Sequence, residues 1–447
     1  PTARTVAAAV LIRVASNKAF ASAALESELG SAVQLEPRDR ALATEIVYGA
    51  LRTMGFLEAQ IARFSSRPLS DMDPKVRAHL VVAAYQMFFL TRVPRFAAVN
   101  EAVDAVRELL GPKVAGFANA VLRKIATAAE KEPASLADAM AQSAPAWLRE
   151  SLVRSLGSEE AARDFIAESS SPADVGICVY NTNNRDLLIS KLAAQHPDAT
   201  FRAGAHSPHA IRAKNAGRPQ DLEGFDSGDF SIQEEGAQLV ALALGASPGE
   251  TILDACAGRG NKTALLAHLV GENGSVDAAD SHPKKLERLA IEVLRTHARA
   301  RNTFALDWTV GSGDVALGSY DRVLVDAPCS GTGTIRKRPE IFARREASDL
   351  GELANRQTSI LSRASQAVRP GGALVYAVCS VLREECEEVV ARFAENHAEF
   401  VAASFSGESI RALAGEASTL RLLPAKHGTE GYFLASFTRL VEKPRRP

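Results

Sequence analysis

Four apolar runs that each close on an aspartate limit this chain's fold more than any other feature. Residues 251–253 run into Asp254, 275–279 into Asp280, 303–306 into Asp307 and 322–325 into Asp326. The acids are 26, 27 and 19 residues apart, about one strand and one helix per step. A fifth run covers 373–377; amphipathic stretches at 284–299 and 346–367 lie between the runs, and one at 383–396 follows the last. This alternation predicts an α/β, doubly wound, largely parallel sheet. In such a sheet ligands bind outside the carboxyl ends of the strands, so the four acids mark the edge where chemistry is expected.

The other residues of this 447-residue chain need cores of their own, because a single core stops growing near ~250–300 residues. Residues 1–130 read as helices throughout. Val6, Leu11, Ile12 and Val14 recur at helical spacing, as do Leu42, Ile46, Val47, Ala50 and Leu51, and Val99, Val103, Val106, Leu109 and Leu110. Pro37, Pro68, Pro74, Pro94 and Pro112 fall where helices should begin or end. Residues 131–173 read as a helical linker. Residues 174–228 read as a small α+β module, with strands at 174–180, 200–203 and 210–213 and a helix at 185–195. The α/β domain then spans 229–440, and 441–447 form a flexible tail.

Formal net charge is −1, yet residues 1–125 carry 16 Lys+Arg against 11 Asp+Glu; this imbalance permits a nucleic-acid contact there. The five cysteines are scattered without metal-ligand spacing, so no metal is expected and the thiols are expected to be reduced. No apolar run approaches ~18 residues and no signal peptide is evident. A cytoplasmic monomer with no membrane contact is expected.

Leu253-Asp254-Ala255-Cys256-Ala257-Gly258-Arg259-Gly260-Asn261-Lys262-Thr263 leaves a strand and opens a helix. Its glycines let backbone approach a ligand closely. It matches neither G-x-G-x-x-G nor a Walker A loop. The form D-x-x-x-G-x-G is typical of S-adenosylmethionine sites. Asp280 is placed to accept the ribose hydroxyls and Asp307 to meet the adenine amine.

Two further motifs carry thiols. Val325-Asp326-Ala327-Pro328-Cys329-Ser330-Gly331 follows one strand, and Val378-Cys379-Ser380 follows another. Two thiols at one sheet edge, one of them near a carboxylate, suit covalent assistance of methyl transfer to an electron-poor ring. Attack at C6 of cytosine makes C5 nucleophilic, and Asp326 can hold the N3/N4 edge if a dry pocket raises its pKa. Lys262 reaches toward the same pocket. The attacking sulfur needs an electropositive, partly open setting. Cys178 and Cys386 read as core residues.

These segments resemble the Sun/Fmu class of RNA cytosine-C5 methyltransferases. Phe230-Ser231-Ile232-Gln233-Glu234, Arg338-Pro339-Glu340, Gln357 and His427-Gly428-Thr429-Glu430-Gly431 agree with it. Arg38-Asp39-Arg40, Val47-Tyr48-Gly49 and Asn119-Ala120-Val121-Leu122-Arg123 resemble the NusB-like helical domain of the bacterial 16S ribosomal RNA member. The resemblance implies an all-α NusB-like bundle joined to a Rossmann-like class I methyltransferase domain, S-adenosylmethionine as cofactor, and small-subunit ribosomal RNA as substrate. It implies Cys379 as nucleophile and Cys329 as the product-releasing thiol. Cys329 remains the competing nucleophile, because DNA cytosine methyltransferases attack with a Pro-Cys cysteine. The cofactor loop carries over as Cys256, Ala257, Gly258, Arg259, Gly260, Asn261 and Lys262, with Asp280, Asp307 and Asp326.

Departures from the pattern are local. Arg259 stands for a proline, Asn261 for a glycine, Val378 for a threonine and Phe342 for a tryptophan. Cys178-Val179-Tyr180-Asn181 replaces the usual Arg-Val-Asn segment. Asn261 is expected to keep the turn because asparagine tolerates left-handed backbone. Arg336, Lys337 and Arg338 are expected to hold RNA phosphates; a solvated basic face is the alternative. Two other functions stay open at this point: a tRNA cytosine-C5 methyltransferase, and a non-catalytic RNA-binding or assembly factor.

Overall fold

A computed structural model describes residues 1–17 and 19–441. The expected tail lies, from residue 442 on, outside the described residues. The chain divides into two compact units, Pro1–Pro172 with Ile335–Ala347, and Ala173–Thr334 with Ser348–Pro447.

The first unit is helical, and its prolines show why. Pro37, Pro74 and Pro112 occupy the first turn of the helices Pro37–Arg52, Pro74–Phe89 and Pro112–Lys131. The fixed φ of proline suits that position, where no amide hydrogen is needed. Pro94 caps the helix Arg95–Leu110, and Pro68 precedes a 3₁₀ turn. Asp73 adds a side-chain cap on Lys75 N. Pro74–Phe89 is the hub, since every residue from Ala78 to Met87 is buried. A helix apolar on all sides must sit inside a bundle. The 131–173 stretch folds as Leu136–Ser143, Ala146–Leu156 and Glu159–Glu168.

The second unit holds two sheets. The smaller is antiparallel, with β1 (Val175–Val179), β2 (Thr200–Ala203), β3 (Ala210–Lys214) and β4 (Phe230–Ile232) in the order β2-β3-β1-β4. Its last strand lies beyond residue 228, and the helix Glu235–Ala243 then leads into the larger sheet.

The larger sheet contains β5 (Thr251–Asp254), β6 (Ser275–Asp280), β7 (Asn302–Ala305), β8 (Tyr320–Asp326), β9 (Val368–Val378), β10 (Phe400–Ala402), β11 (Thr419–Leu422) and β12 (Tyr432–Arg439). The order is β10-β12-β9-β8-β5-β6-β7, with β11 also on β12. Strands β5 to β9 pair in parallel, and β12 runs antiparallel to β9 from Phe433↔Val378 to Thr438↔Ala373. Val323, Leu324 and Val325 are fully buried, as are Leu374 and Tyr376 to Val378; continuous apolar runs are what strands covered on both faces require. From β5 the chain steps outward through β6 and β7, then returns to β8 on the other flank. That reversal opens the crevice beside β5 and β8. The sequence pattern does not reveal β10, β11 or β12. No helix among the described residues is long and apolar enough to cross a membrane.

Candidate active site

Strand register brings the two cysteine motifs together. Asp254 pairs with Leu324, so β8 projects two residues farther and carries Asp326 past the end of β5. Asp326 in turn pairs with Ala377 of β9, and Ala327 N continues the ladder onto Ala377 O at 2.9 Å. The chains therefore leave the sheet side by side. The Sγ atoms of Cys329 and Cys379 lie 3.2 Å apart, and both residues are half-buried. Gly333 N donates to Cys379 O at 3.1 Å, and Gly431 N to Gly333 O at 2.8 Å. The 427–431 signature is thereby joined to the thiol loops.

The hydrogen bond with Cys379 and burial push the Cys329 thiol well above its ordinary range. In a touching pair one sulfur keeps the proton and the other accepts it, and the 3.2 Å contact allows either to be the donor. Lys262 Nζ donates to Asp326 Oδ2 at 2.7 Å. Burial draws the Lys262 ammonium down, but Asp326, Asp254 and Cys379 more than offset this and hold it above its ordinary range. A cation is therefore retained beside Cys379, the setting a thiolate needs. One expectation changes. The sequence predicts a raised acid at Asp326 with Lys262 reaching the same pocket; the structure joins the two as an ion pair.

The cofactor loop is held from three sides. Asp280 Oδ2 accepts from Gly258 N at 3.0 Å and its Oδ1 from His282 N at 2.8 Å. Ala257 N donates to Ala279 O at 2.9 Å. Asn261 Nδ2 donates to Ile232 O at 2.8 Å, fastening the loop to the end of β4. Left-handed backbone falls on Gly258 and Gly260, not on Asn261, so the turn survives for a different reason from the one expected. At Gly260 φ is +91°, and a Cβ would stand 2.8 Å from Leu289 Cγ. Cys256 is half-buried against the core below the loop, and Arg259 is exposed, so its departure from proline intrudes on nothing inside. Asp307 lies two residues past β7, where Oδ1 accepts from Thr309 N and Oγ1 at 2.9 and 2.7 Å. Trp308, not singled out from sequence, ties this turn to the end of β5 through Nε1 and Ala255 O at 2.7 Å.

These residues fit S-adenosylmethionine. Asp254 Oδ2 accepts from Thr263 Oγ1 at 2.8 Å, whereas Oδ1 is buried without a hydrogen-bond partner. A buried acid with an open lone pair suits a ligand that carries positive charge. Burial pushes this carboxyl up to about 6. A cation bound nearby favours its ionised form, so cofactor affinity is expected to rise from about pH 5 to about pH 7. Calorimetric titration with S-adenosylmethionine across that range checks this, and Asp254→Asn should flatten the rise. The same shift acts oppositely on folding. The native state binds this proton more tightly than the unfolded chain does, so the associated stability is present below about pH 4 and lost as pH rises through about 6.

The three cations after the first thiol motif differ in setting. Arg336 is engaged within its own unit: Nε and Nη2 donate to Ser171 O and Oγ at 3.0 and 3.2 Å, and Arg52 Nη2 donates to Arg336 O at 2.9 Å. Lys337 is half-buried and Arg338 exposed. Arg344 stacks 3.7 Å above the Phe20 ring. Cys178 and Cys386 are fully buried. Glu385, also fully buried and not anticipated, accepts from the serines that follow both thiols.

Comparison with known proteins agrees with this geometry. Residues 241–438 match the family model of the 16S rRNA methyltransferase RsmB/F, and residues 1–127 match the NusB family. A probable ribosomal RNA small subunit methyltransferase B of Bacillus subtilis is 30% identical over 98% of both chains. The ribosomal RNA small subunit methyltransferase B of Xylella fastidiosa (strain Temecula1) is 34% identical over 97% of this chain and 96% of its own. The crystal structure of PH0851 superposes with a TM-score of 0.81 at 25% identity, covering 98% of this chain and 99% of that one. The chain therefore belongs to the RsmB/F family of S-adenosylmethionine-dependent 16S rRNA methyltransferases.

Proposed function

We propose that this chain methylates C5 of a cytosine in small-subunit ribosomal RNA through a covalent adduct. Cys379 is the nucleophile and Cys329 the thiol that releases product. The observation that carries the reading is the 3.2 Å contact of the two sulfurs at the carboxyl edge of β8 and β9, with Lys262 and Asp326 paired beside them.

The Cys379 thiolate adds to C6, forming a C–S bond and moving an electron pair toward C5. S-adenosylmethionine supplies an electrophilic methyl group on a sulfonium. Once C5 carries the methyl, its proton passes to a base, the C6–S bond breaks and the ring regains its double bond. Asp326, ion-paired with Lys262, accepts from the exocyclic N4 amine and fixes the ring. Lys262 keeps that carboxylate oriented and lends positive charge to the sulfur. Cys329 retains its proton and donates to the departing Cys379 sulfur, which then leaves as a stabilised thiolate. Arg338, the exposed member of its trio, is the candidate phosphate contact.

Relatives named for the small ribosomal subunit and the NusB match support ribosomal RNA over tRNA. Bisulfite sequencing of RNA from cells with and without the protein tests the target and the atom together. One protected cytosine in the small-subunit RNA is expected to vanish when the protein is absent. Loss of protection in tRNA alone overturns the target, and methyl transfer without any protected cytosine overturns C5.

A further inference from the structure

The serine after each cysteine meets the same acid. Glu385 Oε2 accepts from Ser330 Oγ at 2.5 Å and from Ser380 Oγ at 2.6 Å. Oε1 accepts from Ser330 N at 2.7 Å and from Gln357 Nε2 at 2.9 Å. Gln357 Nε2 also donates to Pro328 O at 3.0 Å, on the other side of Cys329. The Tyr376 hydroxyl of β9 donates to Glu385 O at 2.7 Å, and Thr332 Oγ1 lies 3.0 Å from Ser380 Oγ. Ser330, Ser380, Gln357 and Glu385 are at most 2% exposed.

A carboxylate withdrawn from water is costly unless its oxygens are occupied. Here four donors occupy them, three from the two thiol loops and one from Gln357 on the helix Ala347–Ala364. Neither β8 nor β9 needs this acid for its own ladder. The contacts bracket Cys329 through Pro328 and Ser330, and abut Cys379 through Ser380. Fixing backbone on both sides of two reacting groups is how a scaffold holds them in a productive arrangement.

We propose that Glu385 is the positioning residue that sets the spacing of the two thiols, acting through Ser330 and Ser380 so that Cys329 stands where the adduct must be resolved. This rests on the covalent reading given above. Loosening the clamp leaves attack by Cys379 largely intact and slows release.

The test uses the full chain, S-adenosylmethionine and small-subunit RNA, and measures adduct on denaturing gels against methylated product. In Glu385→Ala the ratio of adduct to product is expected to rise on the order of tenfold to a hundredfold. Cofactor affinity should stay unchanged. Glu385→Gln should return the ratio toward wild type, since its oxygen still accepts from Ser330 N and Gln357 while its amide donates to the two hydroxyls. A purely structural role lowers adduct and product together at constant ratio, and that result overturns the proposal. Should Glu385→Ala fail to fold, the double variant Ser330→Ala, Ser380→Ala removes both hydroxyl arms on Oε2 and keeps the two donors on Oε1; a constant ratio there overturns it equally. A substrate carrying 5-fluorocytosine separates the two levels. No adduct with the wild-type protein sinks the covalent reading itself, whereas an adduct there with an unchanged adduct-to-product ratio of the variants on unmodified RNA sinks only the clamp.

Discussion

Cys379→Ala is expected to abolish both the covalent RNA adduct and methyl transfer, lowering turnover on the order of 10⁴-fold or more. The neighbouring sulfur cannot stand in for it. Cys329 is held well above the ordinary thiol range by its hydrogen bond to Cys379 and by burial, and removing Cys379 removes only the first of these. Lys262, whose charge is coupled to Cys379, keeps its partner Asp326. Cofactor affinity should survive, because the loop at 256–262 is anchored through Asp280, Ala279 and Ile232 and not through the thiol. Stability should change by only about 1 kcal/mol, the usual scale for truncating a half-buried side chain. Mobility of labelled RNA on a denaturing gel, beside a methyl-transfer assay, checks both parts. If instead the adduct persists without Cys379 and disappears without Cys329, the two thiols exchange roles.

Cys329→Ala is expected to do the opposite to the intermediate. The attacking sulfur and its cation remain, so the C6 bond forms and the methyl is transferred. What is lost is the thiol 3.2 Å from the departing sulfur, the donor in the proposed release step. Removing a positioned acid typically costs about 10²- to 10⁴-fold in the step it serves. Adduct should therefore accumulate toward one equivalent of enzyme, while multiple-turnover product falls. Cys329→Ser keeps a donor and should trap less. A time course that separates the first turnover from later ones reads this directly: a normal burst followed by a stalled steady state.

Much of this was legible in the sequence for definite physical reasons. Three of the acid-ended runs are buried strands, and such strands cannot hide their composition; the run before Asp307 is an exposed edge strand that its closing acid alone marks. Prolines at 37, 74 and 112 announced helix starts because the ring fits only there. The thiols were visible as strand-end residues, although their contact depends on a register that no spacing records. The C-terminal strands escaped notice. β10 and β11 are three and four residues long, and β12 is an apolar run with no alternation to separate strand from buried helix. Glu385 escaped for another reason. It sits among Glu384, Glu387 and Glu388, where an acid reads as solvated, and its partner Ser330 is 55 residues away. Lys262, 64 residues upstream of Asp326, was expected in the same pocket, but the ion pair between them is a contact that no spacing records.

The antiparallel pairing of β12 with β9 bears on the order in which this protein can be made. The strand that delivers Cys379 is flanked by β8 on one side and β12 on the other. Residues 432–439 leave the ribosome some fifty residues after the nucleophile they will flank. Until then β9 is an unpaired edge, open to association with any exposed strand nearby. Translation that stops short of residue 432 thus yields a nascent chain with every predicted catalytic side chain present and the strand beneath the nucleophile unprotected, a species for chaperones and proteases to clear rather than a weaker enzyme.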